Sequence, residues 1–222
     1  DQWEKAIAAL GKTPGADDFL GARALASGPP DVEALADAPF TPDGAEANGS
    51  SIALLAEYGG RRVLLGGDAH APQLLEAVRR LAGADGVLKV DAFKLPHHGS
   101  RNNLSRELVS QLRCRDYLVS SSGSRFRHPD REAIARVIRY GGPEVRLHFN
   151  YDSDVNRVWT SPELQQRYLG PVVLEGLARS TSGTWANRCT GAQPSSRCSA
   201  RLYSTSTQAW VASLRNSSVN SG

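Results

Sequence analysis

From residue 86 to residue 149, strand-like and helix-like segments follow one another in regular alternation, and this order constrains the fold more than any other feature of the chain. "VLKVDAFKLP" sets Leu88, Val90 and Ala92 on one face like a strand. A helix follows at "SRELVSQLR", a strand at "DYLVSS", a helix at "PDREAIARVIRYG" and a strand at "EVRLHF". Chains that alternate in this way pack helices over a sheet, so an α/β layered fold is expected. Just upstream, "SIALLAEY" places Ile52, Leu54 and Tyr58 on one strand face. Gly59-Gly60 is a two-residue hairpin turn, and "RRVLLGG" returns as the partner strand. "APQLLEAVRRLA" then puts Leu74, Leu75, Val78 and Leu81 at helical spacing.

The flanks carry less pattern. Residues 1 to 10 read as the end of a helix, and residues 11 to 47 are a loop-rich lead-in with "SGPPD" and "FTPDGAEANGS". After Glu175 no acidic residue occurs and no period persists. Residues 179 to 222 therefore read either as a disordered basic tail or, the favoured reading, as a shifted frame of an Arg- and Ala-rich gene. The remaining 1 to 178 form one unit. With 222 residues, 40% of them apolar, the chain can bury one good core. Its net charge of +3 is scattered rather than blocked, so charge alone points to no nucleic-acid or membrane partner. No apolar run is long enough to span a bilayer and the N-terminus is not a signal peptide, so a cytoplasmic address is expected. Cys114, Cys189 and Cys198 form no C-x-x-C pair; Cys114 reads as a small core residue.

The chemistry gathers where strands end. Gly66-Gly67-Asp68 closes the hairpin's second strand, so a carboxylate emerges beside two glycines that let other groups come close. The competing role for Asp68 is to cap the helix that starts near Ala71; His70 is a weaker candidate in the same turn. "PHHGSRNN" follows the next strand with His97 and His98, and Ser100, Arg101, Asn102 and Asn103 offer groups suited to an anion. The third strand runs into "SSSGSRFRHPD", placing His128 before a proline that can open the next helix at its first position. Carboxylate and imidazole together suit zinc, manganese or iron, and such a metal can make hydroxide available near neutral pH. His148 lies within a strand and reads as structural.

"NGSSIALLAEYGGRRVLLGGDAH", "LKVDAFKLPHHGS" and "SGSRFRHPDREAIARVI", in this order and spacing, resemble the C-terminal half of a metallo-β-lactamase-fold hydrolase, in particular the ComEC-like hydrolase domains. The likeness runs from about Asn48 to Tyr168. It implies half of a four-layer αββα sandwich and a one- or two-metal site at the strand ends, usually zinc. It also implies a phosphodiester or nucleotide-type substrate, nucleic acid included. Carried over, Asp68 matches the metal-bridging, catalytic carboxylate, and His98, with His97 as the alternate, matches the last metal-binding histidine. His128 matches a catalytic histidine that faces the substrate phosphate, and Lys94 and Ser100 occupy matching substrate-side positions.

The departure from that family is large. Its H-x-H-x-D-H motif occurs nowhere in these residues, and His70 is the first histidine of the chain. The expectation is a fragment with half an active site, whose partner is the N-terminal half of the same domain. Two function classes follow: a metal-dependent hydrolase completed from upstream, or a non-catalytic remnant or interaction module that keeps the fold.

Overall fold

The computed structural model describes residues 29–168 and, as backbone, strands 173–174, 199–204 and 209–212. In chain order the elements are helices α1 (Val32–Ala36) and α2 (Glu46–Gly49), strands β1 (Ile52–Tyr58) and β2 (Arg61–Leu65), and helix α3 (Ala71–Leu81). Strands β3 (Leu88–Lys89) and β4 (Ala92–Lys94) come next, then a 3-10 turn at Pro96–Gly99, helix α4 (Arg106–Ser110), and strands β5 (Leu112–Arg113) and β6 (Asp116–Val119). Helix α5 (Arg131–Tyr140), strand β7 (Arg146–Phe149), helices α6 (Asp154–Arg157) and α7 (Pro162–Tyr168), and strands β8 (Val173–Leu174), β9 (Ser199–Ser204) and β10 (Ala209–Ala212) complete the order. The main sheet runs β10-β9-β1-β2-β4-β6-β7-β8, and β3 pairs with β5 in a small second sheet. The molecule is α/β, as the alternation predicts.

Local chemistry explains the main elements. The hairpin closes with Tyr58 opposite Arg61, and both loop glycines have positive φ (55° and 76°), the geometry of a two-residue primed turn. The face of β1 that packs into the core is the one with Ala53 and Leu55, not the one with Ile52 (60% exposed) and Tyr58. Leu55, Leu64, Phe93, Tyr117 and Leu147 from the sheet join Leu74 and Val78 of α3 and Ile134 and Val137 of α5 in one buried cluster. Cys114 is buried as expected, and burial pushes its thiol up to about 12.

Several expectations need correction. "VLKVDAFKLP" is two strands. Leu88 and Lys89 pair with β5, and Asp91 then turns the chain by accepting the Arg62 N–H at 2.8 Å and the Arg61 guanidinium at 2.6 Å. Helix α4 stops at Ser110, so Leu112 and Arg113 are free to pair with β3. Helix α5 begins at Arg131 after an Asp130 N-cap, two residues beyond Pro129. The lead-in contains α1, started by an Asp31 carboxylate that accepts the Ala34 N–H at 3.1 Å, and α2. Within the tail read as irregular, β9 and β10 extend the sheet antiparallel from β1, since main-chain pairing needs no side-chain period. The helix expected over residues 1 to 10, and the rest of the tail with Cys189 and Cys198, lie outside the described residues.

One buried cation ties the lead-in to the core. Arg136 of α5 is 1% exposed; its Nη1 donates to Arg101 O (2.8 Å) and Leu104 O (2.9 Å), and its Nη2 donates to Ala38 O (3.1 Å). The guanidinium also lies over the Phe40 ring. Arg136→Met keeps the bulk but leaves three carbonyls without a donor, so the unfolding free energy in a urea titration should fall by about 3 kcal/mol or more. A loss under about 1 kcal/mol would mean that these bonds are not what holds residues 38–40 in place.

Candidate functional site

Parallel pairing decides where the site lies. β2, β4 and β6 run side by side in the same direction, so their C-terminal ends share one edge. β1 is antiparallel to β2, so its start, preceded by Asn48 and Ser51, arrives at that edge too. Loops at such an edge carry function because the strands fix where they leave and little fixes what they contain. Asp68 follows β2; Lys94, His97 and His98 leave β4; His128 follows β6.

The first two exits are bonded to each other. Gly66 N–H donates to Lys94 O at 3.1 Å and His97 N–H to Gly67 O at 2.8 Å. A Cβ on Gly66 would stand 3.0 Å from the Pro96 Cβ, and one on Gly67, whose φ is +57°, would stand 2.6 Å from Ile52 O. The two glycines therefore do admit close neighbours, as their sequence position suggests. Asp68 is half-buried, with its N–H donating to Ser51 Oγ at 2.8 Å. It is not the cap of α3: His70 holds the N-cap position without a side-chain bond to the helix, and its Nε2 instead lies 3.0 Å from Ala45 O. Lys94 is the charged neighbour of Asp68. Burial lowers the Lys94 ammonium pKa, the attraction of Asp68 only partly offsets this, and Nζ donates to Leu95 O at 2.6 Å.

Three imidazoles meet above these exits. His97 and His98 both have left-handed backbones, with φ of 43° and 56°. Their rings are 6.4 Å apart between centroids, and the His128 ring lies 5.4 Å from that of His97. His98 Nδ1 is 2.6 Å from Ser120 O; a carbonyl only accepts, so Nδ1 carries the proton and Nε2 is the atom left to present. The His128 side chain is 15% exposed, and its Nδ1 is 3.6 Å from Asp130 Oδ1, an electrostatic contact too long for a hydrogen bond. Burial raises the Asp130 pKa, but the His128 contact and the Arg101 N–H at 2.8 Å outweigh it and hold the carboxyl below its usual range.

Behind His97 stands a group that sequence reasoning did not assemble: Asp43, Asn48 and Asn103. Asn103 is fully buried and contacts Asp43, Asp68, Ala69 and His97, and Asn48 Nδ2 donates to Asp43 Oδ2 at 2.7 Å. "PDGAEANGS" and "SRNN" show polar loop residues, but nothing in either stretch says that they meet 60 positions apart. Ser100 is also buried, with its hydroxyl accepting the Asn102 N–H at 3.2 Å, so it shapes the loop from inside. His148, read as structural, pairs with Asp116 at 2.7 Å.

In kind, these donors suit a metal: a carboxylate and two imidazoles, His97 and His98, whose Nδ1 atoms are engaged from behind, which leaves Nε2 to bind. In number they fall short. Among the described residues no three His, Cys, Asp or Glu side chains gather into a metal-holding group, whereas a catalytic zinc takes three protein ligands. By themselves, the residues described here do not fit a catalytic metal.

Comparisons with known proteins give one partial likeness. Over 113 residues, half of the chain, it is 29% identical to ComE operon protein 3 of Bacillus subtilis (strain 168), and the match covers 14% of that protein's length. No family model matches, and no solved structure matches. Among the described residues no helix is long and apolar enough to cross a membrane.

The group behind His97 makes a prediction about acid stability. Burial raises the Asp43 pKa, but N–H groups of Ala45, Asn48 and Asn103 and the nearby His70 overcome it and bring the carboxyl to about 2. A folded-state value below the unfolded one, near 3.9, stabilises the fold above that pH and loses the effect as pH falls towards 2. The difference in urea midpoint between the natural chain and Asp43→Asn should be full at about pH 6 and shrink between about pH 4 and pH 2. A difference constant over that range would show that the carboxylate's charge is not what matters.

Proposed function

We propose that the strand-end cluster is the substrate-facing part of a phosphodiester hydrolase site, in a metallo-β-lactamase-type αββα sandwich of which this chain forms two layers. A segment outside these 222 residues supplies the other two layers and the remaining metal donors. The observation that carries the reading is the meeting of three imidazoles from two strand ends, at the sheet edge from which Asp68 and its half-buried neighbour Lys94 also emerge. The partial likeness to ComE operon protein 3 supports a competence-related setting. Leu54, Val63, Leu65 and Leu118, on the sheet face opposite the helices, are half-exposed or exposed, as expected of a face that a second sheet covers.

A phosphodiester is an anion with a poor leaving group. An imidazole N–H at His128 can neutralise a phosphate oxygen or deliver a proton to the departing one, and Lys94 adds positive charge beside Asp68. Zinc, or manganese or iron, held by Asp68 and by His98 or His97 together with outside donors, would supply Lewis-acid charge. The test is hydrolysis of bis-p-nitrophenyl phosphate with metal content measured in parallel, on this chain and on a longer product of its gene. The chain alone should hold little zinc and turn over little substrate. In the longer protein, Asp68→Ala and His98→Ala should each cut turnover by about 10²-fold or more. Full zinc and turnover in the 222-residue chain would overturn the shared-site reading. A longer protein inert towards every phosphodiester tried would leave the non-catalytic module, which the shortage of donors favours.

A further inference from the structure

Two amides compete for one nitrogen. His97 Nδ1 lies 3.1 Å from Asn103 Oδ1, which can only accept, and 3.3 Å from Asn48 Nδ2, which can only donate. If Asn103 prevails, Nδ1 carries the proton and Nε2 the lone pair; if Asn48 prevails, the assignment reverses. The Asn103 amide has one sensible orientation. Its Nδ2 faces Asp43 Oδ2 at 3.0 Å, Ala69 O at 3.2 Å and Asp68 O at 3.3 Å, three oxygens that offer no proton, so Oδ1 is turned onto the ring. Asn48 is already engaged with Asp43 at 2.7 Å, and Asp43 Oδ2 itself stands 3.5 Å from Nδ1, a negative charge that favours N–H there.

From this geometry we infer that Asn103 is a positioning residue that fixes His97 in its Nδ1–H tautomer and so presents the Nε2 lone pair to whatever occupies the strand-end site. The inference deepens the hydrolase reading and rests on it for its purpose, but the tautomer is observable without substrate or turnover. Asn103 couples the β2 exit to His97 as well, because the Nδ2 that orients its oxygen is held by the carbonyls of Asp68 and Ala69. A shift of the Gly67–Ala69 turn would release the amide and with it the tautomer. The same side chain therefore serves two of the strand exits.

The experiment is long-range proton–nitrogen NMR of the histidine rings in the full chain at about pH 8, above the ordinary imidazole range. The natural chain should show His97 protonated at Nδ1, and Asn48→Ala should leave that unchanged. Asn103→Leu should move the tautomer ratio about fivefold or more towards Nε2–H. Nε2–H in the natural chain, a reading that needs no variant to fold, would overturn the inference. So would an unchanged ratio in a folded Asn103→Leu chain, which would assign the tautomer to Asp43. Activity separates the two proposals. An Nδ1–H His97 in an inert longer protein removes only the hydrolase reading, and turnover with Nε2–H His97 removes only this one.

Discussion

The main-chain pairing of β2 with β4 does not stop where the strands stop, and most of the site depends on that. Gly66 N–H to Lys94 O and His97 N–H to Gly67 O carry the ladder one step into the loops, so the turn that bears Asp68 and the turn that bears the histidines move as one piece. Such close approach is open only to residues without a Cβ, since any side chain at 66 would press on Pro96 and any at 67 on the start of β1. Ser51, held to the Asp68 amide, extends the same unit to a third strand. Loop geometry here is inherited from the sheet rather than from the loops' own composition.

Much of this was legible in the sequence, for identifiable reasons. The hairpin followed from Gly59-Gly60 between two apolar runs, because few turns have that chemistry. Placing Asp68, the two histidines and His128 at strand ends required only that the strands be parallel, and alternation with helices implies this. The misses share a cause. Asp91 breaks "VLKVDAFKLP" through partners on β2 about thirty positions away, and α4 ends early because β5 has a partner in β3. The Asp43, Asn48 and Asn103 group is a tertiary event among polar loop residues, which individually look like solvated turns. Periodicity reports which face a residue is on; it is silent about which polar groups meet.

Buried polar chemistry also sets what is rigid. Arg136 and Asn103 both anchor the Arg101–Leu104 stretch: Arg136 donates to its carbonyls, and the Asn103 side chain reaches from it to His97. Every donor of the Asn103 amide is engaged, and such fully satisfied networks are expensive to disrupt by halves. This stretch is therefore braced from the core side before it reaches the histidines. His128 is braced differently, beside the N-cap carboxylate of α5, whose other oxygen takes the Arg101 amide. Two independent braces converge on Arg101, which links the helix layer to the strand-end loops.

The left-handed backbone at His97 and His98 has a consequence of its own. Residues with a Cβ lose about 1 kcal/mol or more in that conformation, and glycine would occupy it without that penalty, offset in part by the greater freedom glycine has when unfolded. A chain whose sole requirement was to fold would gain little from imidazoles at these two positions. Their backbone is thus held in place by the loop's surroundings, the bond from His97 N–H to Gly67 O among them, rather than by the preference of the residues themselves.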